Sequence, residues 1–233
     1  MHPQSKKRGT PYVSIVIPTW NERDNIGKVI RGVKEALADY QYEILVVDRH
    51  SDDGTIGIAK SLGAKVIYDT RGKGSALIMG FNAAKGKVII SMDADLSNRP
   101  DELRLLITGI ETGYDICMGS RYLTGGGSDD MPLYRRLANK GFVTLVNLIY
   151  GSRYSDMCYG YRSFSKGSFK RLKLKEKGFG IETEINIRAR KARLRVLEVP
   201  SMEKKRATGS GKLRTWQDGY LILKTILKNM GRD

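Results

Sequence analysis

Residues 12–48 run YVSIVIPTWNERDNIGKVIRGVKEALADYQYEILVVD. Tyr12 to Ile17 is a short apolar run of strand length, halted by Pro18. From about Asn25 to Tyr40, the apolar residues Ile26, Val29, Ile30, Val33 and Leu37 recur three and four apart, which predicts a helix with one buried face. Glu43 to Val47 is a second apolar strand that ends on Asp48. A strand, a helix and a strand joined by short connections make a βαβ unit, and its two strands run parallel.

The same rhythm extends outward. Thr55 to Leu62 reads as a helix, Lys65 to Tyr68 as a strand, Gly74 to Ala84 as a helix and Lys87 to Met92 as a strand. Beyond these, the pattern predicts a helix over Pro100 to Thr112 and a strand over Asp115 to Gly119. The stretch Thr124-Gly125-Gly126-Gly127-Ser128 is flexible in composition, and a helix follows from about Leu133 to Tyr150. A mixed segment covers Cys158 to Phe164. It is followed by a helix near Glu182 to Ala192, a strand at Leu194 to Val199 and a last amphipathic helix from about Arg214 to Met230. The expectation is a single α/β domain with a mostly parallel, Rossmann-like sheet, helices on both faces and a helical C-terminal extension. In such sheets ligands bind beyond the carboxyl ends of the strands. That rule selects Pro18 to Glu22, Asp48 to Asp53, and Asp93 to Asp95.

Charge divides the chain. The 233 residues carry a formal net charge of +16. Residues 1–133 hold 17 Lys/Arg against 17 Asp/Glu, whereas residues 134–233 hold 24 against 8. So one-sided an excess calls for an anionic partner, such as lipid head groups, a phosphorylated substrate or nucleic acid, unless it is only a solvated basic face. Histidine is limited to His2 and His50 and cysteine to Cys117 and Cys158, which argues against histidine triads, zinc clusters and a disulfide framework. A reducing compartment is expected. Lys6-Lys7-Arg8 leads into a strand-like run rather than a secretory leader. No apolar stretch approaches the ~20 residues of a membrane span, so membrane contact is expected to be peripheral.

Asp93-Ala94-Asp95 follows the apolar strand directly. Two carboxylates at i and i+2 on a strand end can present oxygens to one hard cation, which then neutralises a diphosphate; the competing reading is a cluster capping the helix that starts at Pro100. Asp48 can accept a hydrogen bond from a base N–H or serve as a cap, and Asp53 suits a cap. Glu22 is another strand-end acid.

Taken in order, these pieces resemble a known family. They are Val13 to Glu22, Val46-Val47-Asp48, Gly72-Lys73-Gly74-Ser75-Ala76, Met92-Asp93-Ala94-Asp95-Leu96 and Gly119-Ser120-Arg121-Tyr122. Tyr159-Gly160-Tyr161-Arg162, Phe179-Gly180-Ile181-Glu182 and Arg206 to Leu213 continue the match. The set resembles the family-2 inverting glycosyltransferases of the GT-A fold, in the dolichol-phosphate mannosyltransferase branch, over about residues 12–215. The resemblance implies a nucleotide-sugar-binding half at about 1–119 and a basic, acceptor-binding half at about 120–233. It implies that Pro18, Trp20, Glu22 and Asp48 line the base and ribose pocket. Asp93 and Asp95, flanking Ala94, would hold Mg²⁺ or Mn²⁺ on the donor diphosphate. Arg121 and Arg135 would grip the acceptor phosphate and, with Asp95, carry the catalysis. Arg206, Ser210 and Lys212 would belong to a loop closing over the donor.

Two departures stand out. Asp48-Arg49-His50-Ser51 replaces the usual Asp-Asp-Gly-Ser, and Trp20 stands where tyrosine is usual. Arg49 leaves the choice between guanine and uracil nucleotides open. The implied activity is transfer of a hexose, with GDP-mannose the leading donor and UDP-glucose the alternative, to a polyprenyl (dolichyl) phosphate at the cytoplasmic face of a membrane. A membrane-anchoring partner or a homo-oligomer would be compatible with it. If the acceptor were a sugar hydroxyl instead, Glu182 or Glu184 would have to act as base. A nucleic-acid partner is not expected, because it leaves the balanced N-terminal half and the aspartate pair without a role.

Overall fold

The computed structural model describes residues 9–129, 131–206 and 215–231. The first half delivers the predicted alternation: β1 (Val13–Thr19), α1 (Arg23–Ala36), β2 (Tyr42–Asp48), α2 (Thr55–Ser61), β3 (Lys65–Tyr68), α3 (Lys73–Ala83) and β4 (Val88–Ser91). A 3₁₀ turn, Pro100–Glu102, leads into α4 (Leu103–Glu111), and β5 is Ile116–Ser120. A two-residue strand β6 (Gly127–Ser128) precedes α5 (Leu133–Tyr150). Next come β7 (Arg162–Ser165), α6 (Lys166–Leu172), α7 (Ile181–Lys191), β8 (Val196–Pro200), β9 (Met202–Glu203) and α8 (Thr215–Lys228).

Seven strands form one sheet in the order β3-β2-β1-β4-β7-β5-β8. β7 is antiparallel to both its neighbours, and the other pairings are parallel. The chain therefore builds outward from β1 in one direction through β2 and β3, then restarts on the other side at β4. The carboxyl ends of β1 and β4 diverge at that reversal, which is where α/β sheets open a crevice.

Alternation along β1 sends Ile15 and Ile17 to one face and Val16 to the other. The first pair packs with Ile26, Val29 and Ile30 of α1 and Leu103 and Ile107 of α4. Val16 packs with Leu77 and Phe81 of α3, Phe169 of α6 and Ile181 and Ile185 of α7. A third cluster joins Val146 of α5 and Ile222 and Ile226 of α8 to Met157 and Ile187, so α5 and α8 each bury one stripe. Their outer sides keep large apolar residues exposed: Leu133, Tyr134, Leu137 and Leu148 on α5, and Tyr220, Leu221, Leu223 and Leu227 on α8. Among the described residues, no helix is long and apolar enough to cross a membrane.

Pro18 lies inside a central strand, a place proline normally avoids. In a parallel strand the N–H and C=O of one residue face the same neighbour. Val16 O accepts from Met92 N at 3.1 Å, on the β4 side, while Thr19 O accepts from Arg49 N at 3.0 Å, on the β2 side. Pro18 shares the parity of Val16, so its missing N–H faces β4, whose pairing with β1 has already ended at Val16 and Ser91. The proline thus marks the lip of the crevice and costs no ladder bond.

Candidate active site

Each of the three strand ends selected from sequence turns through a residue with left-handed backbone: Asn21 after β1 (φ 51°), His50 after β2 (φ 57°) and Leu96 after β4 (φ 67°). Asparagine and histidine tolerate this region, but leucine does so only where its surroundings hold it. Here Ser97 N donates to Asp95 Oδ1 at 3.0 Å and Asp93 N donates to Asn98 Oδ1 at 2.7 Å, fixing the loop after β4 at both aspartates.

Four acids converge around this loop. Lys73 Nζ lies 3.0 Å from Asp93 Oδ1 and 3.0 Å from Glu182 Oε1. Arg206 reaches Asp95 Oδ2 with Nη2 at 2.6 Å and Glu22 Oε1 with Nη1 at 3.0 Å. The strap carrying Arg206 is pinned where Lys204 N donates to Ser97 O at 2.8 Å. Lys73 is the first residue of α3, and its flanking glycines are required by close approach. A Cβ on Gly72 would sit 2.6 Å from Lys177 O, and one on Gly74 would sit 2.4 Å from Glu176 O. Burial disfavours charge on Lys73, but Asp93 and then Glu182 outweigh it and hold its pKa above the ordinary value. Burial raises the Asp93 pKa, Lys73 opposes this, and the neighbouring Asp95 and Glu182 charges add to the rise. Lys73 was not among the residues predicted from sequence; the Gly-Lys-Gly pattern at a helix start was its only signal.

Among the described residues, no group of three or more His, Cys, Asp or Glu side chains is placed to hold a metal ion. The pair Asp93 and Asp95 suits a different kind of site. Their donors are all hard oxygens, and Mg²⁺ is commonly held by one or two carboxylates, with substrate phosphates and water filling the remaining positions. That the two carboxylates already attract an ammonium and a guanidinium shows where positive charge is favoured.

Asp48 is fully buried. Its Oδ1 accepts from Ser51 N at 2.6 Å and its Oδ2 from Ser51 Oγ at 2.7 Å, so it shapes its own turn. Glu22 is also buried and accepts from Asn25 Nδ2 at 2.8 Å as well as from Arg206. Asp53 accepts from Arg23 N and from Thr55 N, each at 3.0 Å, tying the first residues of α1 and α2 together, but it is not the cap expected from sequence: Gly54 occupies the N-cap of α2. Trp20 is 40% exposed, and the Arg49 guanidinium carbon lies 4.8 Å from its ring centroid. The two departures from the family pattern are therefore in contact. His50 stacks on Tyr68 with centroids 4.8 Å apart.

Arg121, just past β5, is nearly buried and clamped. Nε and Nη2 donate to Asp156 at 2.7 and 2.9 Å, Nη1 donates to Glu203 at 3.1 Å, and the guanidinium lies 4.8 Å from the Tyr159 ring centroid. Asp156 and Glu203 more than offset the burial penalty and raise its pKa. Arg135 stands in the first turn of α5, with Arg135 N bonded to Pro132 O at 3.0 Å. Ser210 and Lys212 lie outside the described residues. The two candidate bases separate clearly. Glu184 accepts from Lys175 N and Glu176 N at 2.9 and 2.7 Å and from Arg188 Nε at 2.8 Å, holding a loop and a helix turn. Glu182 faces the aspartate cluster through Lys73.

A Rossmann-like sheet with paired strand-end aspartates at its reversal and one antiparallel strand set between β4 and β5 defines a GT-A-type fold. The chain belongs to glycosyl transferase family 2, whose model matches residues 14–173. It is 38% identical over 210 residues to the dolichol-phosphate mannosyltransferase of Pyrococcus furiosus, covering 87% of this chain and 59% of that protein. It is 31% identical over 220 residues to the polyprenol monophosphomannose synthase of Mycolicibacterium smegmatis, covering 88% of this chain and 82% of that one. The chain thus spans under two thirds of the length of the Pyrococcus relative. Among solved structures, the glucosyl-3-phosphoglycerate synthase of Mycobacterium tuberculosis, in complex with Mn²⁺, uridine diphosphate and glucosyl-3-phosphoglycerate, matches the fold with a TM-score of 0.74 at 21% identity. That match covers 96% of this chain and 81% of that one.

Proposed function

We propose that the protein transfers a hexose from a nucleoside diphosphate sugar to a polyprenyl phosphate with inversion at the anomeric carbon, GDP-mannose being the leading donor. The reading is carried by the oxygen-only pair Asp93 and Asp95 at the sheet reversal, with Lys73 and Arg206 beside it. The relatives' names supply the acceptor class. Asp93 and Asp95 would hold Mg²⁺ or Mn²⁺, which would supply positive charge for the leaving diphosphate. Lys73 and Arg206 stand ready to add to that charge.

A phosphate monoester has a second pKa of ~6 and is largely dianionic at neutral pH. Its oxygen can attack the anomeric carbon with no protein base, so the chain's part is to position and to neutralise. The acid cluster agrees with this division. Glu184 holds its own loop and a helix turn, and Glu182 is ion-paired with Lys73, so neither carboxylate is turned toward a hydroxyl substrate. Arg121 and Arg135 remain the residues proposed to meet the acceptor phosphate, because guanidinium forks match phosphate geometry. Arg121 spends three N–H groups on Asp156 and Glu203 and so comes to the phosphate already oriented. The exposed leucines of α5 and α8, with Arg136 and Lys140 on the first and Lys224 and Lys228 on the second, favour contact with a membrane surface. A peripheral position on a cytoplasmic face goes with this reading.

Asp93→Asn and Asp95→Asn test the carboxylate pair. Each is expected to lower sugar transfer by roughly a hundredfold or more at saturating Mn²⁺, since electrostatic stabilisation of the leaving group is worth several kcal/mol. Transfer by both variants within about threefold of wild type, a barrier change under ~1 kcal/mol, would overturn the assignment.

A further inference from the structure

We infer that Arg49, laid against Trp20, selects the donor base by its acceptor edge and makes the site specific for a 6-oxopurine (guanine) nucleotide. The inference rests on the nucleoside diphosphate donor proposed above. Asp93 and Asp95 fix the phosphate end of the crevice at the end of β4. β1 and then β2 lie beside β4 at strand spacings of ~4.8 Å, so the ends of β4 and β2 are roughly 10 Å apart. A ribose and a base laid from the phosphate end toward β2 fall across Trp20 and Arg49.

What β1 and β2 offer there decides the readout. The carboxylate that would ordinarily take a base N–H, Asp48, is fully buried, with an oxygen engaged by Ser51 N and the other by Ser51 Oγ. The exposed groups at the two strand ends are Trp20, Asn21, Arg49, His50 and Asp52, and of these Asn21 and Asp52 bond to each other, Asn21 Nδ2 donating to Asp52 Oδ1 at 3.0 Å and Asp52 N to Asn21 Oδ1 at 3.2 Å. Among the described residues, no carboxylate forms an ion pair with Arg49, so its N–H fork is not committed to an acid. The indole holds the planar guanidinium at 4.8 Å, and His50 is held aside on Tyr68. A guanidinium has donors only. Guanine presents two adjacent acceptors, O6 and N7, and arginine meets them with two bonds at once. Adenine breaks the pair with its N6 amino group. Uracil sets O4 beside the N3–H donor, which a guanidinium cannot satisfy. An acid at position 49 would favour the opposite edge, so the change from acid to Arg49 reverses the hydrogen-bond sign of the subsite.

Calorimetric titration of the full chain with GDP, IDP and UDP in Mn²⁺ tests this, using wild type, Arg49→Lys and Arg49→Ala. Hypoxanthine keeps O6 and N7 but lacks the 2-amino group. Wild type should bind GDP and IDP with similar affinity, each roughly tenfold or more tighter than UDP. Arg49→Ala should erase that margin while leaving UDP within about twofold, and Arg49→Lys, charged but without the fork, should fail to restore it. Equal loss of GDP and UDP in Arg49→Ala would overturn the inference, because Arg49 would then act on the phosphates or the loop. IDP binding as weakly as UDP would overturn it too, since the 2-amino group would then be the feature read. Neither result touches the transferase reading. Failure of wild type to bind any of the three would sink both.

Discussion

Replacing Arg121 with alanine removes a guanidinium that is almost wholly enclosed and bonded at 2.7 and 2.9 Å to Asp156, whose side chain is fully buried. The carboxylate keeps only backbone donors, from Cys158 N at 3.2 Å and Arg121 N at 3.3 Å. Breaking one side of a buried pair strands the other charge, at a cost of about 3–5 kcal/mol. For a chain of this size each kcal/mol moves Tm by about 2–4 °C, so Arg121→Ala should melt roughly 6–20 °C below wild type. Thermal unfolding followed by circular dichroism measures this directly. Adding Asp156→Asn removes the stranded charge, so the double variant should regain part of the loss and show a coupling of at least ~1 kcal/mol. A single-variant drop under about 2 °C would refute the reasoning, since it would mean the pair is solvated or replaceable. The prediction also bears on function. Transfer lost in Arg121→Ala counts as evidence for a phosphate contact only when assayed well below the variant's own Tm.

Glu182 and Glu184 should part company when each is changed to glutamine. Glu184→Gln weakens the hold on Lys175, Glu176 and Arg188 and should lower Tm by several degrees, whereas Glu182→Gln should leave polyprenyl-phosphate transfer within roughly tenfold of wild type. Abolition of transfer by Glu182→Gln in a protein of unchanged Tm would favour a hydroxyl acceptor. Asp69 supplies a pH test. Arg71 bonds to its carboxylate, outweighing burial, and lowers its pKa from 3.8 to about 2. A depressed folded-state pKa gives stability that is present above the unfolded value and lost as pH falls through the folded one. The Tm gap between wild type and Asp69→Asn should therefore be widest above about pH 4 and close toward about pH 2; a gap unchanged between pH 5 and pH 2 would contradict it.

Helical spacing located α5 at Leu133–Tyr150, as expected from the sequence, because Gly151 in left-handed backbone (φ 64°) stops the helix where the pattern ends. Strands β1 to β4 fell within a residue or two of expectation, since each is an apolar run bounded by polar turns. The helix predicted to reach Tyr40 stops at Ala36, and the one from Pro100 begins as a 3₁₀ turn. β7 was read only as a mixed segment. Its direction depends on pairing between β4 and β5, which local pattern does not encode. The short α6 was missed, although Ser165 caps it by accepting from Ser168 N at 3.1 Å. In the site, the aspartate pair was legible from its place after an apolar strand. The burial of Asp48, the clamp on Arg121 and the position of Lys73 between Asp93 and Glu182 were not. The last two depend on residues distant in sequence meeting beside a strand end, and the burial of Asp48 depends on how the sheet and its helices pack around the end of β2.

The central claim is sugar transfer to a lipid phosphate through a metal-dependent site. Its most direct test is to incubate the protein with polyprenyl phosphate, Mn²⁺ and GDP-mannose labelled in the sugar, then measure label in the organic phase with and without EDTA. The account predicts label in the lipid fraction that vanishes with EDTA and is far below the GDP-mannose level when labelled UDP-glucose is the donor. Metal-dependent release of free sugar with no label entering lipid would contradict it.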